Sequence, residues 1–362
     1  MTRGLQDSLG KGPEIDWQRV RRVLLVRLRS IGDTVLMTPC LHALKEWRPG
    51  VEIDVVTEAL AAPVLEDHPL VDQLVIAGHS AASRLALLAR LRTKRFDLAV
   101  NLHGGTTAMM LTALSGARHT VGYRGQRGSW LLNLRAPGPD VILGVKRVHS
   151  VEQQLALLQW AGVPLPEKRR LNLATSADAA ANVRARLINE GISAAALGSA
   201  QFAIVAPGAA FDSKRWSSRG FASVIDHLAD HWRLESLVIA GPGQEQVVNE
   251  VVGAARSAAR ALSRISLPEL KALIGVFGRV FVGNDSGPMH IAAAVGCPIV
   301  AVFGSSNPDV WRPWTEATYR VLGGEQDTPD SNLRESIDRV RIDEVIAAID
   351  QVLESAVTRA TS

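Results

Sequence analysis

Short apolar runs alternate with amphipathic stretches along the whole of this 362-residue chain. In the first half, residues 23–28, 51–56, 74–76 and 98–102 read as strands of a sheet buried on both faces, because their apolar positions run together instead of alternating. Between them, residues 35–47, 81–92 and 106–114 show helical spacing, and 148–160 repeats it with Val151, Leu155, Leu158 and Ala161 along one face. A Pro-rich, charged stretch from Val163 to Arg170 breaks the pattern. The alternation then restarts, with strands at 202–206, 237–240, 280–282 and 299–303 and helices at 220–231, 247–258, 267–276 and 289–295. Repeated strand–helix–strand units predict parallel sheets with right-handed crossovers.

The expected fold class is therefore α/β, with two Rossmann-like domains whose parallel sheets face a central cleft. Ligands bind outside the carboxyl ends of such strands. The length also argues for two domains. The expected boundaries are a flexible leader at 1–18, a first domain at 19–165, a second at 172–341, and a C-terminal helix and tail at 342–362. The helical pattern there covers 342–353, after a polar stretch at 323–336 that reads as a mobile loop.

Composition narrows the setting. The longest apolar run, residues 291–303, contains Gly296 and Pro298 and is too short to span a bilayer. No apolar segment of a secretory signal occupies the first eighteen residues, so a cytoplasmic location is expected. Cys40 and Cys297 are far apart and lie in apolar patterns, as buried free thiols do. The net charge of +4 is uneven: residues 1–165 carry 20 Lys and Arg against 14 Asp and Glu, and the remainder 20 against 22. The basic first half predicts an acidic ligand or an anionic membrane surface there.

Several familiar motifs are missing. No Walker-type phosphate loop is present, since Gly10-Lys11-Gly12 is only a near miss, and no G-x-G-x-x-G follows a strand. No D-x-D pair offers a divalent metal a seat, so no metal or other cofactor is expected. The chemistry-bearing residues instead cluster at four strand ends. After the first strand, Ser30 and Gly32 permit a tight turn that brings Asp33 to a helix start, as an N-cap or as a general base. After the strand at 202–206, small residues lead to Lys214, Arg215 and Trp216, a pairing of close backbone approach with positive charge that suits a diphosphate. Gly241, Pro242 and Gly243 place Glu245 at a helix start, where it could grip ribose hydroxyls or complement the helix dipole. Finally, Asp285, Ser286, Gly287, Pro288 and His290 build a turn into a helix whose free N–H groups suit phosphate.

These four segments, in this order from Val23 to Trp314, resemble glycosyltransferase family nine, the ADP-heptose:lipopolysaccharide heptosyltransferases and their relatives. The resemblance implies a two-domain GT-B fold and inverting transfer of heptose from ADP-heptose to an acceptor hydroxyl in lipopolysaccharide core assembly. It implies Asp33 as catalytic base, Lys214 on the donor phosphates, Glu245 on the ribose and Asp285 on the heptose hydroxyls. Ser286, Gly287 and His290 match the phosphate-binding turn, and Arg215 adds charge beside Lys214. The nucleotide sugar is a substrate, and no nucleic-acid partner is expected. The acidic or glycan acceptor falls to the basic first domain, with Arg124, Arg127, Lys146 and Arg147 as contacts and peripheral contact with the inner membrane surface. Three departures from the family pattern stand out: Ser217 follows Trp216 where Pro is common, Asn101 and His103 replace Asp and Gln, and the stretch ending at Trp314 lacks a glycine. Rival readings are a related transferase acting on a small natural product or a protein, and a non-catalytic sugar-nucleotide-binding protein.

Overall fold

The computed structural model describes residues 12–194, 197, 201–324 and 335–361. Most of the expected leader (1–11) and most of the polar stretch at 323–336 (325–334) lie outside the described residues. The chain divides into two units, Met1–Ala174 and Thr175–Ser362.

The first unit holds β1 (Arg22–Val26), β2 (Glu52–Glu58), β3 (Gln73–Ala77), β4 (Leu98–Asn101), β5 (His119–Tyr123) and β6 (Leu134–Ala136). They form one sheet of order β3-β2-β1-β4-β5-β6, with every neighbouring pair parallel. Val23, Leu24, Leu25 and Val26 are wholly buried, as expected of a central strand covered by helices on both faces. The helix expected over 35–47 is two helices, Ile31–Leu36 and Thr38–Trp47. Pro39, with no N–H to give, sits in the first turn of the second, where a free donor is not needed. At the start of the unit, buried Trp17 donates its indole N–H to Ala161 O at 2.9 Å and meets Trp47 edge-on at 4.6 Å.

The second unit repeats the plan with β7 (Phe202–Ala206), β8 (Ser236–Ile239), β9 (Ala259–Leu262), β10 (Gly278–Asn284), β11 (Ile299–Phe303) and β12 (Tyr319–Gly323). Its order is β12-β11-β10-β7-β8-β9, again all parallel. The C-terminal helix, Ile342–Thr361, belongs to this unit, burying Val345, Ile349, Val352 and Leu353 in the same apolar cluster as Val205, Phe221, Val282 and Val302. Both units thus have the doubly wound order in which the chain reverses direction beside the first strand. The reversal falls between β1 and β4 in one unit and between β7 and β10 in the other, where neighbouring loops part to opposite faces and leave room for a ligand.

Candidate active site

In the first unit, Ser30 is the cap of the helix Ile31–Leu36 and Asp33 is its third residue. Asp33 is therefore not the N-cap that spacing allowed; the turn closes three residues earlier. Its Oδ2 accepts from the Ser30 N–H and from the Ser30 hydroxyl, both at 3.1 Å, which satisfies a main-chain donor at the helix start. Its other oxygen, Oδ1, forms an ion pair with the Arg27 guanidinium. Arg27 is buried and also donates to Leu102 O, so it ties the end of β1 to the end of β4 across the reversal point. Burial pulls the Arg27 guanidinium below its ordinary value, and Asp33 opposes that shift. His103, two residues beyond β4, feels the same pair. Burial and the Arg27 charge hold its imidazole low, while Asp33 works the other way. Its Nδ1 is buried without a hydrogen-bond partner. Asn101 shapes this loop, its Oδ1 accepting from the His103 and Gly104 N–H groups at 3.0 Å each.

The second unit gathers its residues in the same topological place. Lys214, after β7, reaches Asp285, after β10, with Nζ to Oδ2 at 2.8 Å. The Ser306 hydroxyl donates to the same oxygen, and His290 Nε2 lies 3.9 Å from Oδ1. Asp285 is buried with one oxygen occupied twice. Lysine has three donors, so Lys214 can hold Asp285 and still bind an anion. Ser286 caps the helix Gly287–Ala294, and its hydroxyl oxygen is buried without a hydrogen-bond partner. Asn284, fully buried, braces the cluster: it donates to Pro207 O at 2.8 Å and accepts from the Trp216 N–H at 3.1 Å. The Lys214 loop also lies hard against the loop after β11. A Cβ on Gly304 would sit 2.0 Å from Ser213 O, so only glycine fits there.

The other expected residues are placed less centrally. Arg215 pairs with its near neighbour Asp212 at 3.1 Å, and Asp285 does not recruit it. Glu245 is the half-buried first residue of the helix Glu245–Ala254. Beside it, Gln244 donates to Ala209 O at 2.9 Å, pinning the loops after β7 and β8 together. Arg124 and Arg127 follow β5, and Lys146 and Arg147 follow the short helix Pro139–Leu143; all four are exposed. Ser217 accepts from the Gly220 N–H at 3.1 Å as cap of the helix Ser218–Trp232, which gives this departure from the family pattern a structural role. Arg27, Gln244 and Asn284 lie within the strand-end segments but take no role there from the sequence alone, and Ser306 lies outside them; their parts become visible only through their partners. Burial pushes both cysteine thiols up, in keeping with inert packing roles. Among the described residues, no three His, Cys, Asp or Glu side chains gather as a metal-binding group.

A family model described as glycosyltransferase family 9 (heptosyltransferase) matches residues 84–340. The chain belongs to that family. Lipopolysaccharide heptosyltransferase 3 of Escherichia coli is 28% identical over 351 residues, covering 91% of this chain and 99% of the relative. Lipopolysaccharide heptosyltransferase 2 of Escherichia coli strain K12 is 26% identical over 311 residues, covering 81% and 85%. Among solved structures, a glycosyl transferase family 9 protein from Veillonella parvula DSM 2008 aligns with a TM-score of 0.82 at 22% identity, covering 95% of this chain and all of that one. An Escherichia coli ADP-heptose lps heptosyltransferase II aligns at 0.77 with 24% identity, covering 92% and 99%. The fold of this glycosyltransferase is thus the two-domain α/β fold of those heptosyltransferases, GT-B. No helix among the described residues is long and apolar enough to cross a membrane.

Proposed function

We propose that this family 9 protein transfers a heptose from ADP-heptose to a hydroxyl of a lipopolysaccharide core acceptor, with inversion at the anomeric carbon. The observation that carries the reading is the cluster of Lys214, Asp285, Ser306 and His290 at the β7/β10 reversal point, beside the N-terminus of the helix Gly287–Ala294. Lys214 and the helix N–H groups receive the diphosphate, Asp285 the sugar hydroxyls through its less occupied oxygen, and Glu245 the ribose. Asp33 removes the acceptor hydroxyl proton as the new bond to the anomeric carbon forms. The bond from that carbon to the diphosphate breaks in the same step, and its electrons leave with ADP. Lys214, Arg215 and the helix dipole stabilise the charge that develops there, so no metal or resident cofactor is required.

The acceptor falls to the first unit, where Arg124, Arg127, Lys146 and Arg147 offer cations to an acidic glycan. A lipid-anchored acceptor together with a nucleotide-sugar donor supports action in the cytoplasm at the inner membrane surface. The deciding experiment incubates the protein with ADP-heptose and a heptose-deficient lipopolysaccharide core and follows release of ADP and the mass of the glycan. A mass gain of one heptose is expected. ADP-heptose binding without transfer to any core acceptor would sink the reading.

A further inference from the structure

One flank of the first unit joins exposed apolar side chains to an unbroken run of positive charge. No Asp or Glu occurs between Asp97 and Asp140, while Arg118, Arg124, Arg127 and Arg135 lie in that interval, all exposed. The same interval carries Trp130 at 73% exposure, Met110 at 50%, Leu131 at 37% and Leu114 at 36%. Met110 and Leu114 are one turn apart on the helix Thr106–Leu114, so they share a face. The turn Ser129–Leu131 packs against that helix: a Cβ on Gly128 would touch Met109 at 3.3 Å and Leu131 at 4.0 Å. Arg92, also exposed, donates to Leu114 O at 3.0 Å, and Asn133 donates to Arg118 O at 2.8 Å. The Arg92 guanidinium thus lies at the end of the helix that carries Met110 and Leu114, and the Arg118 backbone is tied to the segment just after the Trp130 turn.

We propose that this flank, built from Met110, Leu114, Trp130 and Leu131 with Arg92, Arg118, Arg127 and Arg135, is the surface by which the protein docks on an anionic lipid bilayer. It deepens the membrane contact that rests on the heptosyltransferase reading by giving it a location. Indole rings settle at the headgroup level, where the ring meets acyl chains and the N–H meets water. Basic side chains around it are drawn to anionic headgroups, and the missing carboxylates remove the repulsion that would otherwise oppose approach. A protein partner with an acidic face would need the charge but not an apolar centre led by a tryptophan this exposed. The apolar and basic components together favour the bilayer.

The test uses the full chain with no donor or acceptor, so failure leaves the transferase reading standing, and failure of that reading leaves this result standing. The protein is sedimented with vesicles of phosphatidylcholine alone and of phosphatidylcholine mixed with phosphatidylglycerol. Binding is expected to the mixed vesicles only, and to be lost near 1 M salt, where the Debye length is ~3 Å. Trp130→Ser and the double variant Arg118→Glu, Arg135→Glu should each weaken binding about tenfold or more. Ile188→Ser, which removes an exposed apolar side chain on the second unit, should leave it unchanged. Retained ADP-induced thermal shifts identify variants that remain folded. Equal binding by wild type and both flank variants overturns the proposal, as does equal weakening by Ile188→Ser or no sedimentation with the anionic vesicles.

Discussion

Lys214 Nζ and Asp285 Oδ2 are 2.8 Å apart, although 71 positions separate the two residues in the chain. The pair joins the loop after β7 to the turn after β10, so the cation assigned to the donor phosphates and the carboxylate assigned to the sugar hydroxyls set each other's position. Asp285 is the more deeply buried partner, at 6% side-chain exposure against 25% for Lys214. Removing the lysine therefore leaves a desolvated carboxylate facing the Ser306 hydroxyl and His290 without the lysine's charge.

Lys214→Ala should accordingly do two things. Loss of a charge-assisted phosphate contact should raise the donor Kd about tenfold or more. Leaving Asp285 without that charge should lower stability by about 1–3 kcal/mol. Calorimetric titration with ADP and chemical denaturation check the two effects. An unchanged Kd beside reduced stability would make the pair a fold element only.

Asp33→Asn separates chemistry from structure. An Asn amide oxygen can still accept from the Ser30 N–H, so the contact at the helix start by itself survives the substitution. The Arg27 ion pair changes the expectation, because Asn cannot neutralise a buried guanidinium. The variant should lose about 2–4 kcal/mol and yet fold. If Asp33 is the base, kcat should fall about 10²–10⁴-fold with donor Kd unchanged. Single-turnover rates beside ADP affinity decide it, and a variant that keeps its rate would move the base elsewhere.

Stability should depend on pH through His42, His103 and His119, whose folded values are held low, chiefly by burial. The unfolded chain takes up protons first, at the ordinary imidazole value of about 6.5. Stability is then full above that value and falls as pH drops through it toward the depressed folded values. Melting temperatures recorded from neutral pH downward should decline across this window. His103→Asn should flatten the decline, and an equally steep curve would remove His103 from the account.

Donor choice and metal dependence form a fourth test. ADP-heptose at a hundred times its Kd should stabilise the protein by roughly 2.7 kcal/mol, with a clearly smaller shift from UDP-sugars. Turnover should be unchanged by EDTA. Activity lost to the chelator and restored by Mg²⁺ or Mn²⁺ would overturn the assignment of Lys214, Arg215 and the helix N-terminus to the leaving diphosphate.

Strands such as β1, β7 and β11 were legible in the sequence because they are buried on both faces and leave contiguous apolar runs, whereas β5, interior and buried at Thr120–Gly122, was missed because His119-Thr-Val-Gly-Tyr123 holds no such run. Edge strands β6, β9 and β12 keep partly exposed faces, so their side chains vary and no run marks them. The helix expected over 247–258 ends at Ala254 because the residues beyond lead into β9, a partner only the folded sheet supplies. Polar residues at strand ends were legible as well, since Asp33, Lys214, Glu245 and Asp285 each interrupt an apolar pattern where a turn must form.

Periodicity and turn chemistry are local properties, and so the sequence alone determined two doubly wound halves and the loops that carry their chemistry. Pairing is not local. Arg27 meets Leu102 O after β4, Ser306 meets Asp285 from the loop after β11, and Asn284 holds Trp216 and Pro207, each because the strand order brings distant ends side by side. Burial at those junctions makes each partner necessary, since a desolvated charge or amide without one costs several kcal/mol. Desolvation depends on everything packed around a group, and only the tertiary structure decides that.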